Sequence, residues 1–220
     1  MPEVDLLRSL PTSRRSVAAR LLTKGPNIVA EACKFGEAYF DGPRDYGYGG
    51  YRYDGRWLPV ARDIVEHFDL KPGMRVLDIG CAKGFLVRDL MSACPGLEVF
   101  GLDISDYALL HSHPEVVGRL HLGNCIDLPF PDASFDTVLA INVIHNLDRP
   151  DVITALKEIK RVARGDRCFV QVDSYHTEQQ RALFMDWVLT ARFHDYPDGW
   201  YKVFEEAGYR GDWAWTIVTE

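Results

Sequence analysis

The run Val76-Leu-Asp-Ile-Gly-Cys-Ala-Lys-Gly-Phe85 constrains this chain more than any other stretch. Apolar residues of strand character lead to an acid, Asp78, and then straight into a glycine turn that opens an apolar, helix-forming segment. Gly80 lets the backbone approach a ligand closely, and Gly84 permits tight packing where the helix begins. A dinucleotide fingerprint GxGxxG starting at Gly80 would need glycines at positions 82 and 85, which hold Ala82 and Phe85. The Walker phosphate loop is absent as well. What stands is D-x-G-x-x-x-G with Asp78 closing the strand, a pattern that a plain strand-turn-helix would also satisfy.

The surrounding sequence narrows the choice. From Trp57 onward, strand and helix alternate. The periodicity predicts an amphipathic helix over 57–69, punctuated by Lys71-Pro72-Gly73, then a strand over 75–79 and a helix over 84–93. A strand over 98–102, a helix at 106–110, a brief edge strand within 118–123 and a buried strand over 135–141 follow. Next come a helix over 151–163, with Val152, Ala155, Leu156, Ile159 and Val162 on one face, and a strand over 168–172. Helices near 177–189 and 198–207 and a last strand through 213–218 complete the pattern. Alternation at this spacing implies a mostly parallel sheet with helices on both faces, because parallel neighbours need crossover connections. Ligands of such sheets bind beyond the carboxyl ends of the strands.

Two further segments carry chemistry at those ends. Val99-Phe-Gly-Leu-Asp-Ile-Ser105 is a second strand closing on Asp103, at a distance from Gly80 close to the roughly 20 residues expected of a ribose-binding acid. Helix capping is the other use of such an acid, and Ser105 or Asp106 can serve that purpose. The segment Gly123-Asn-Cys-Ile-Asp-Leu-Pro-Phe-Pro-Asp-Ala-Ser-Phe-Asp136 then leads into the fourth strand.

In this order, the three segments resemble the class I S-adenosylmethionine-dependent methyltransferases, whose first motif is an acid followed by glycines. The resemblance covers residues 57–175 well and the ends poorly. It implies a Rossmann-like α/β fold and S-adenosyl-L-methionine as the cofactor. The loop of Asp78, Gly80, Cys81 and Gly84 would hold its methionine end, and Asp103, with Ile104 beside it, the ribose. Asn124 takes the position facing the adenine amino group, where an aspartate is usual; Cys125 would offer its backbone N–H to the ring, and Asp127 is the alternative to Asn124. Ala82 departs from the family, in which glycine is commoner there.

Methyl transfer from a sulfonium asks the protein mainly for alignment, with a base only where the acceptor is protonated. Candidates lie after the fourth and fifth strands, in Asn142-Val-Ile-His-Asn146 and Asp173-Ser-Tyr-His176. His145 has a pKa suited to base work. Asp173 could orient an acceptor or cap a helix, and Tyr175 and His176 are comparable candidates. Asn142 stands where the fourth strand meets the cofactor. His111 and His113 form a short HxH without further ligands, so no metal site is expected.

Residues 1–56 read as a separate segment, an N-terminal helical and aromatic cap on a domain spanning 57–220. Its tyrosines Tyr46, Tyr48, Tyr51 and Tyr53, interleaved with glycines, run up to Trp57. In the family such a segment often folds over the cofactor, which makes Tyr51, Tyr53 and Arg56 candidates for the methionine carboxylate or the acceptor. Five cysteines without a CxxC pair exclude a zinc ribbon and a disulfide framework, and with no signal-like leader they imply a reducing cytoplasm. No apolar run reaches the roughly 20 residues that span a bilayer. A net charge of −7 argues against nucleic acid as partner. Arg8, Arg14, Arg15, Arg20 and Lys24 crowd the first thirty residues, and the expectation is a solvated helix face with Leu21 and Leu22 inward. The acceptor fitting these features is a small molecule, a sugar or another metabolite. Four tryptophans, Trp187, Trp200, Trp213 and Trp215, line its pocket or pack the last helices. Where the family ends in two strands only one is evident here, leaving an edge that a second copy could cover in a homodimer.

Overall fold

The computed structural model describes residues 2–11 and 16–219. Arg14 and Arg15 of the basic cluster lie outside them. Six parallel strands form one sheet: β1 (Arg75–Ile79), β2 (Glu98–Asp103), β3 (Leu120–Leu122), β4 (Thr137–Ile141), β5 (Cys168–Asp173) and β6 (Asp212–Thr216), in the order β3-β2-β1-β4-β5-β6. The order reverses direction between β1 and β4, so the carboxyl ends of these two strands flank the crevice where ligands bind in such sheets.

Nine helices accompany the sheet among the described residues: α1 (Val17–Thr23), α2 (Pro26–Ala32), α3 (Glu37–Phe40), α4 (Trp57–His67), α5 (Phe85–Ala93), α6 (Asp106–Leu110), α7 (Arg149–Val162), α8 (Glu178–Trp187) and α9 (Pro197–Ala207). The period-two alternation of the strands sorts the core into two layers. Leu77, Ile79, Val138, Ala140, Val170 and Val172 face Leu156, Ile159, Trp200 and Phe204 of α7 and α9. Val76, Val99, Leu139 and Phe169 face Val60, Ile64, Val87 and Leu90 of α4 and α5. α7 begins two residues earlier than its periodicity predicts because Pro150 sits in the first turn, where a missing N–H breaks no helical bond. β4 begins at Thr137; Phe135, expected within it, makes an isolated bridge to Ala163.

The outer edge of β6 is bordered by the chain's own N-terminal segment. Val4 N–H donates to the Trp213 carbonyl at 2.9 Å and Trp213 N–H to the Pro2 carbonyl at 3.3 Å, a parallel bridge one residue long. Leu6 is buried in the same core layer as α4 and α5. Residues 16–56 instead run across the carboxyl ends of the strands.

The helix α1 inverts the expected pattern. Arg20 is 7% exposed, whereas Leu21 and Leu22 are 52% and 89% exposed. Its inward face is set by Val17, which packs with Phe184 and Val218, and by Arg20, whose guanidinium lies 4.2 Å from the centroid of the Trp187 ring. An arginine can be inside because its stem packs like a hydrocarbon and its planar head stacks on an indole.

One carboxylate ties the aromatic segment to the sheet domain. Asp41 accepts from Lys83 Nζ at 2.6 Å, from the Tyr107 hydroxyl at 2.8 Å and from Tyr51 N–H at 3.1 Å. Lys83 is buried, and it belongs to the glycine turn itself. Burial pushes the Asp41 carboxyl up, but the bonds from Lys83, Tyr107 and the Tyr51 amide outweigh it and hold its pKa below the ordinary value. The ionised form therefore stabilises the closed arrangement above roughly pH 4, and that contribution is lost as pH falls through the lower folded value. Asp41→Asn leaves a buried ammonium without its counterion, and a loss of about 2 kcal/mol is expected. Hydrogen exchange checks it: protection should fall across residues 35–51 while the amides of β1, β4 and β5 stay protected.

Candidate active site

The glycine turn after β1 is held in place by the end of β2. Gly80 and Cys81 N–H both donate to the Leu102 carbonyl, at 2.7 and 3.1 Å. Asp103 accepts from Ala82 N–H at 2.7 Å through one oxygen and from Ser105 N–H at 2.8 Å through the other. Gly80 has φ +73°, and a Cβ there would stand 2.6 Å from Val143 Cγ2, so only glycine fits without displacing Val143. Gly84, with φ +74°, caps α5, and a Cβ on it would press on Val116 at 2.8 Å; it borders none of the cavities described below and serves packing. Ala82 occupies the left-handed region at φ +50°, which accounts for the preference for glycine at that position. Asn142, at the end of β4, is left-handed too, with φ +56°.

Three cavities lie between these strand ends and the N-terminal segment. The first, about 130 Å³, is bordered by Gly80, Asp103, Ile104, Asn124, Cys125 and Asn142, and roofed by Phe35, Tyr39, Phe40 and Tyr48. The second, about 70 Å³, is bordered by Asp78, Gly80, Cys81, Tyr51 and Trp57. The third, about 460 Å³, is bordered by His145, Asp173, Arg20, Arg44, Arg56 and Trp187, among others. Tyr48 and Asn142 border all three, so the cavities adjoin one another at these two residues.

The structure thus brings together the residues expected around the cofactor, apart from Gly84 and Arg56. Arg56 faces the largest cavity, and its guanidinium is held by both carboxylate oxygens of Asp54. Tyr53 lies outside the groove, its hydroxyl donating to Asp89 at 2.6 Å. Tyr175 borders none of the three cavities. It is buried in the cluster joining α1 to α8, with its hydroxyl 3.1 Å from His194 Nδ1. His176 is exposed on the far side of that turn. Asn124 bonds its own loop, accepting from Ile126 N–H at 3.2 Å. Sequence reasoning included Asn146 only as the end of a candidate segment; it borders the first cavity with a buried Oδ1 that has no hydrogen-bond partner among the described residues. Arg20, Arg44 and Thr190 were missed as site residues. Of the four tryptophans, only Trp187 reaches a cavity; Trp213 and Trp215 pack at 4.4 Å, and Trp200 donates to the Asp173 carbonyl at 3.0 Å.

Two buried carboxyls, Asp78 and Asp103, set the electrostatics of the groove. Burial, reinforced by the neighbouring charge of Asp103, pushes the Asp78 carboxyl up to about 8. Burial raises Asp103 as well, against the amides of Ser105 and Ala82 that favour its ionised form. A ligand offering an ammonium, vicinal hydroxyls and an amino-bearing base would satisfy Asp78, Asp103 and Asn146 in turn. S-adenosylmethionine has all three groups. His145 is buried, which lowers its pKa despite the opposing charge of Asp173, so the imidazole is neutral near pH 7. Its Nδ1 accepts the backbone N–H of Asp173 at 3.0 Å, and the proton of the neutral ring therefore sits on Nε2. Among the described residues no group of three or more His, Cys, Asp or Glu is placed to hold a metal, and no helix is long and apolar enough to cross a membrane. All five cysteines are free.

Comparison with known proteins agrees with this geometry. Residues 77–170 match a family model described as a methyltransferase domain. A demethylmenaquinone methyltransferase of Symbiobacterium thermophilum is 31% identical over 128 residues, 54% of this chain and 50% of that protein. A sterol 24-C-methyltransferase of Gibberella zeae is 29% identical over 137 residues, 56% of this chain and 35% of that protein. The chain spans about half the length, or less, of the curated relatives it matches. In fold it is similar to an S-adenosylmethionine-dependent methyltransferase from Archaeoglobus fulgidus, with TM-score 0.55, 20% identity, and coverage of 69% of this chain and 68% of that one.

Two substitutions separate the roles of the turn residues. Gly80→Ala should destabilise by about 2 kcal/mol or more, since it adds a methyl group against Val143 at a positive φ. Ala82→Gly should stay within about 1 kcal/mol of wild type, relief of strain offsetting the added chain entropy; chemical denaturation measures both. Asp78 is expected to give the ligand-free protein a pH dependence of its own. Its folded pKa lies above the unfolded value near roughly 4, so its contribution is full below that value and is lost as pH rises through about 8. Melting temperatures between pH 5 and pH 9 should therefore fall less steeply in Asp78→Asn than in wild type.

Proposed function

We propose that this chain, which carries a methyltransferase domain of the class I S-adenosylmethionine-dependent kind, transfers a methyl group to an oxygen or nitrogen of a small-molecule metabolite, in the cytoplasm. The observation that carries the proposal is the adjacency of the cavities at Asn142 and Tyr48: a groove suited to the cofactor lies directly beside a second, larger chamber bordered by His145 and Asp173. A protein that only bound the cofactor would have no need of that chamber. Relatives named for demethylmenaquinone and sterol methylation support a small-molecule acceptor as the class.

The chain's own groups divide the work. Asp103 accepts the ribose hydroxyls while its amide partners hold the turn, and Asn146, or Asn124 once freed from its loop, accepts from the adenine amino group. Asp78 meets the amino group of the methionine end, and Tyr51 and Trp57 close that side. When bound, the cofactor supplies a methyl group already activated on a sulfonium, so the protein needs mainly to align the acceptor and exclude water. His145, with its proton on Nε2, orients the acceptor as a hydrogen-bond donor instead of serving as the base. Asp173 takes the proton that a hydroxyl or ammonium acceptor must release, its backbone fixed by Trp200 on one side and His145 on the other. Residues 16–56 cover both ligands, with Tyr48 at the junction of their sites.

Isothermal titration with S-adenosylhomocysteine and, separately, with NADH tests this. Binding of the former with a Kd in the micromolar range, weakened at least tenfold in Asp103→Ala, is the expected outcome. Heat from NADH alone would point to a nicotinamide cofactor instead and end the proposal.

A further inference from the structure

The chamber beside His145 and Asp173 has an unusual wall. Arg20 and Arg44 share one aromatic surface, their guanidinium carbons 4.2 and 5.6 Å from the centroid of the Trp187 ring. Arg20 is buried, and its Nη2 donates to the Arg44 carbonyl at 3.1 Å. Arg44 in turn donates to the Gly47 carbonyl. Neither guanidinium makes an ion pair with a carboxylate among the described residues, whereas the third arginine of the chamber, Arg56, is neutralised by Asp54. Asp45 adds a favourable charge near Arg20 without forming an ion pair with it; its carboxylate accepts from the Thr23 hydroxyl at 2.8 Å. Burial, and then the like charge of Arg44, pull the pKa of Arg20 below its ordinary value. Two cations on one ring, one of them inside the protein, are unfavourable unless an anion completes them.

From this arrangement we infer that the methyl acceptor is a small molecule carrying an oxyanion, a carboxylate or a phosphate, that docks on Arg20 and Arg44 against Trp187. The inference rests on the methyl-transfer reading for the acceptor's role, and on the geometry alone for its charge. A guanidinium fork suits either oxyanion through paired N–H donors. The wall is built by α1, the loop after α3 and the end of α8, while His145 and Asp173 project from the ends of β4 and β5. An acceptor of this kind is thus held by its acid group on the helical wall, and presents its methyl-accepting atom at the strand ends beside Asn142, where the cofactor groove opens. Phe184 and Trp187 receive its apolar body. The same wall discriminates against an acceptor without charge: a neutral quinol or sterol would bury Arg20 still deeper and give it no counterion.

The test uses the full chain with S-adenosylhomocysteine, and benzoate, phenyl phosphate and benzamide as probes in ligand-observed NMR titrations. On protein saturated with S-adenosylhomocysteine, at least one acid should bind tenfold or more tighter than benzamide. The stronger of benzoate and phenyl phosphate identifies the oxyanion as carboxylate or phosphate. Arg44→Gln, at an exposed side chain, should weaken the acids fivefold or more while leaving the affinity for S-adenosylhomocysteine unchanged. Arg20→Lys keeps a charge but loses the fork and should weaken them as well; if it fails to fold, Arg44→Gln decides. Equal binding of benzamide, or acid binding indifferent to Arg44→Gln, overturns the inference and leaves methyl transfer intact. Absence of S-adenosylhomocysteine binding instead overturns methyl transfer, and arginine-dependent binding of the acids to the ligand-free protein would then uphold the oxyanion site by itself.

Discussion

A hydrogen bond from the Ala82 amide to the Asp103 carboxylate joins the turn after the first strand to the end of the second, and the groove depends on that junction. The turn places Gly80 against Val143 and lets Cys81 lie over Gly101, where a Cβ would come within 2.6 Å of the sulfur. It also presents Lys83 to Asp41, which brings the aromatic segment down over the strand ends. One carboxylate therefore has two tasks: through lone pairs directed at amides it shapes the loop, and through its remaining capacity it is available to a ligand. Its burial beside Asp78 concentrates negative charge where a cationic ligand would relieve it.

The segment before the sheet does more than close a lid over this groove. α1 packs on α8 through Val17 and Phe184, and Arg20 is carried inward with them onto Trp187. The chamber next to the cofactor groove is consequently built by parts of the chain that are distant in sequence, from Arg20 to Val218. Its polarity is set by the N-terminal segment and α8, while His145 and Asp173 reach it from the far ends of the strands. This division lets the sheet stay constant and the acceptor vary, since loops and cap helices can change without disturbing the strand ends.

The parallel sheet was readable in the residues because both of its signals are local. Runs such as Val76–Ile79 and Phe169–Val172 alternate sides of the sheet, and Gly80 marks the turn that follows the first of them. Of the residues expected around the cofactor, Asp78, Gly80, Asp103 and Asn142 stand at strand ends and border the cavities there, which is why their position was legible too. The chamber was not. The helical period assigns charge to the solvent side, so Arg20 was expected outside and Leu21 and Leu22 inside; stacking on Trp187, a partner 167 positions away in sequence (187 minus 20), reverses that choice. Asn146 stands out only through an unpartnered oxygen, which no pattern of residue types records. Tyr175 lies just beyond the strand that ends at Asp173, yet it is buried in the cluster beneath α8 and away from the cavities. Arg56 was anticipated at a carboxylate and found one, in Asp54 two residues away.

The bridge between residues 2–4 and Trp213 bears on how the molecule behaves among its own copies. A parallel sheet ending in an uncovered strand offers a template for strand addition by neighbouring chains. Here Pro2 and Val4 occupy both backbone groups of Trp213, near the start of the strip that faces outward, and Leu6 anchors the segment in the core. The start of the last strand is thus covered from within the chain, by residues far from it in sequence, and any strand addition by a neighbouring copy is confined to the part of the edge beyond Trp213.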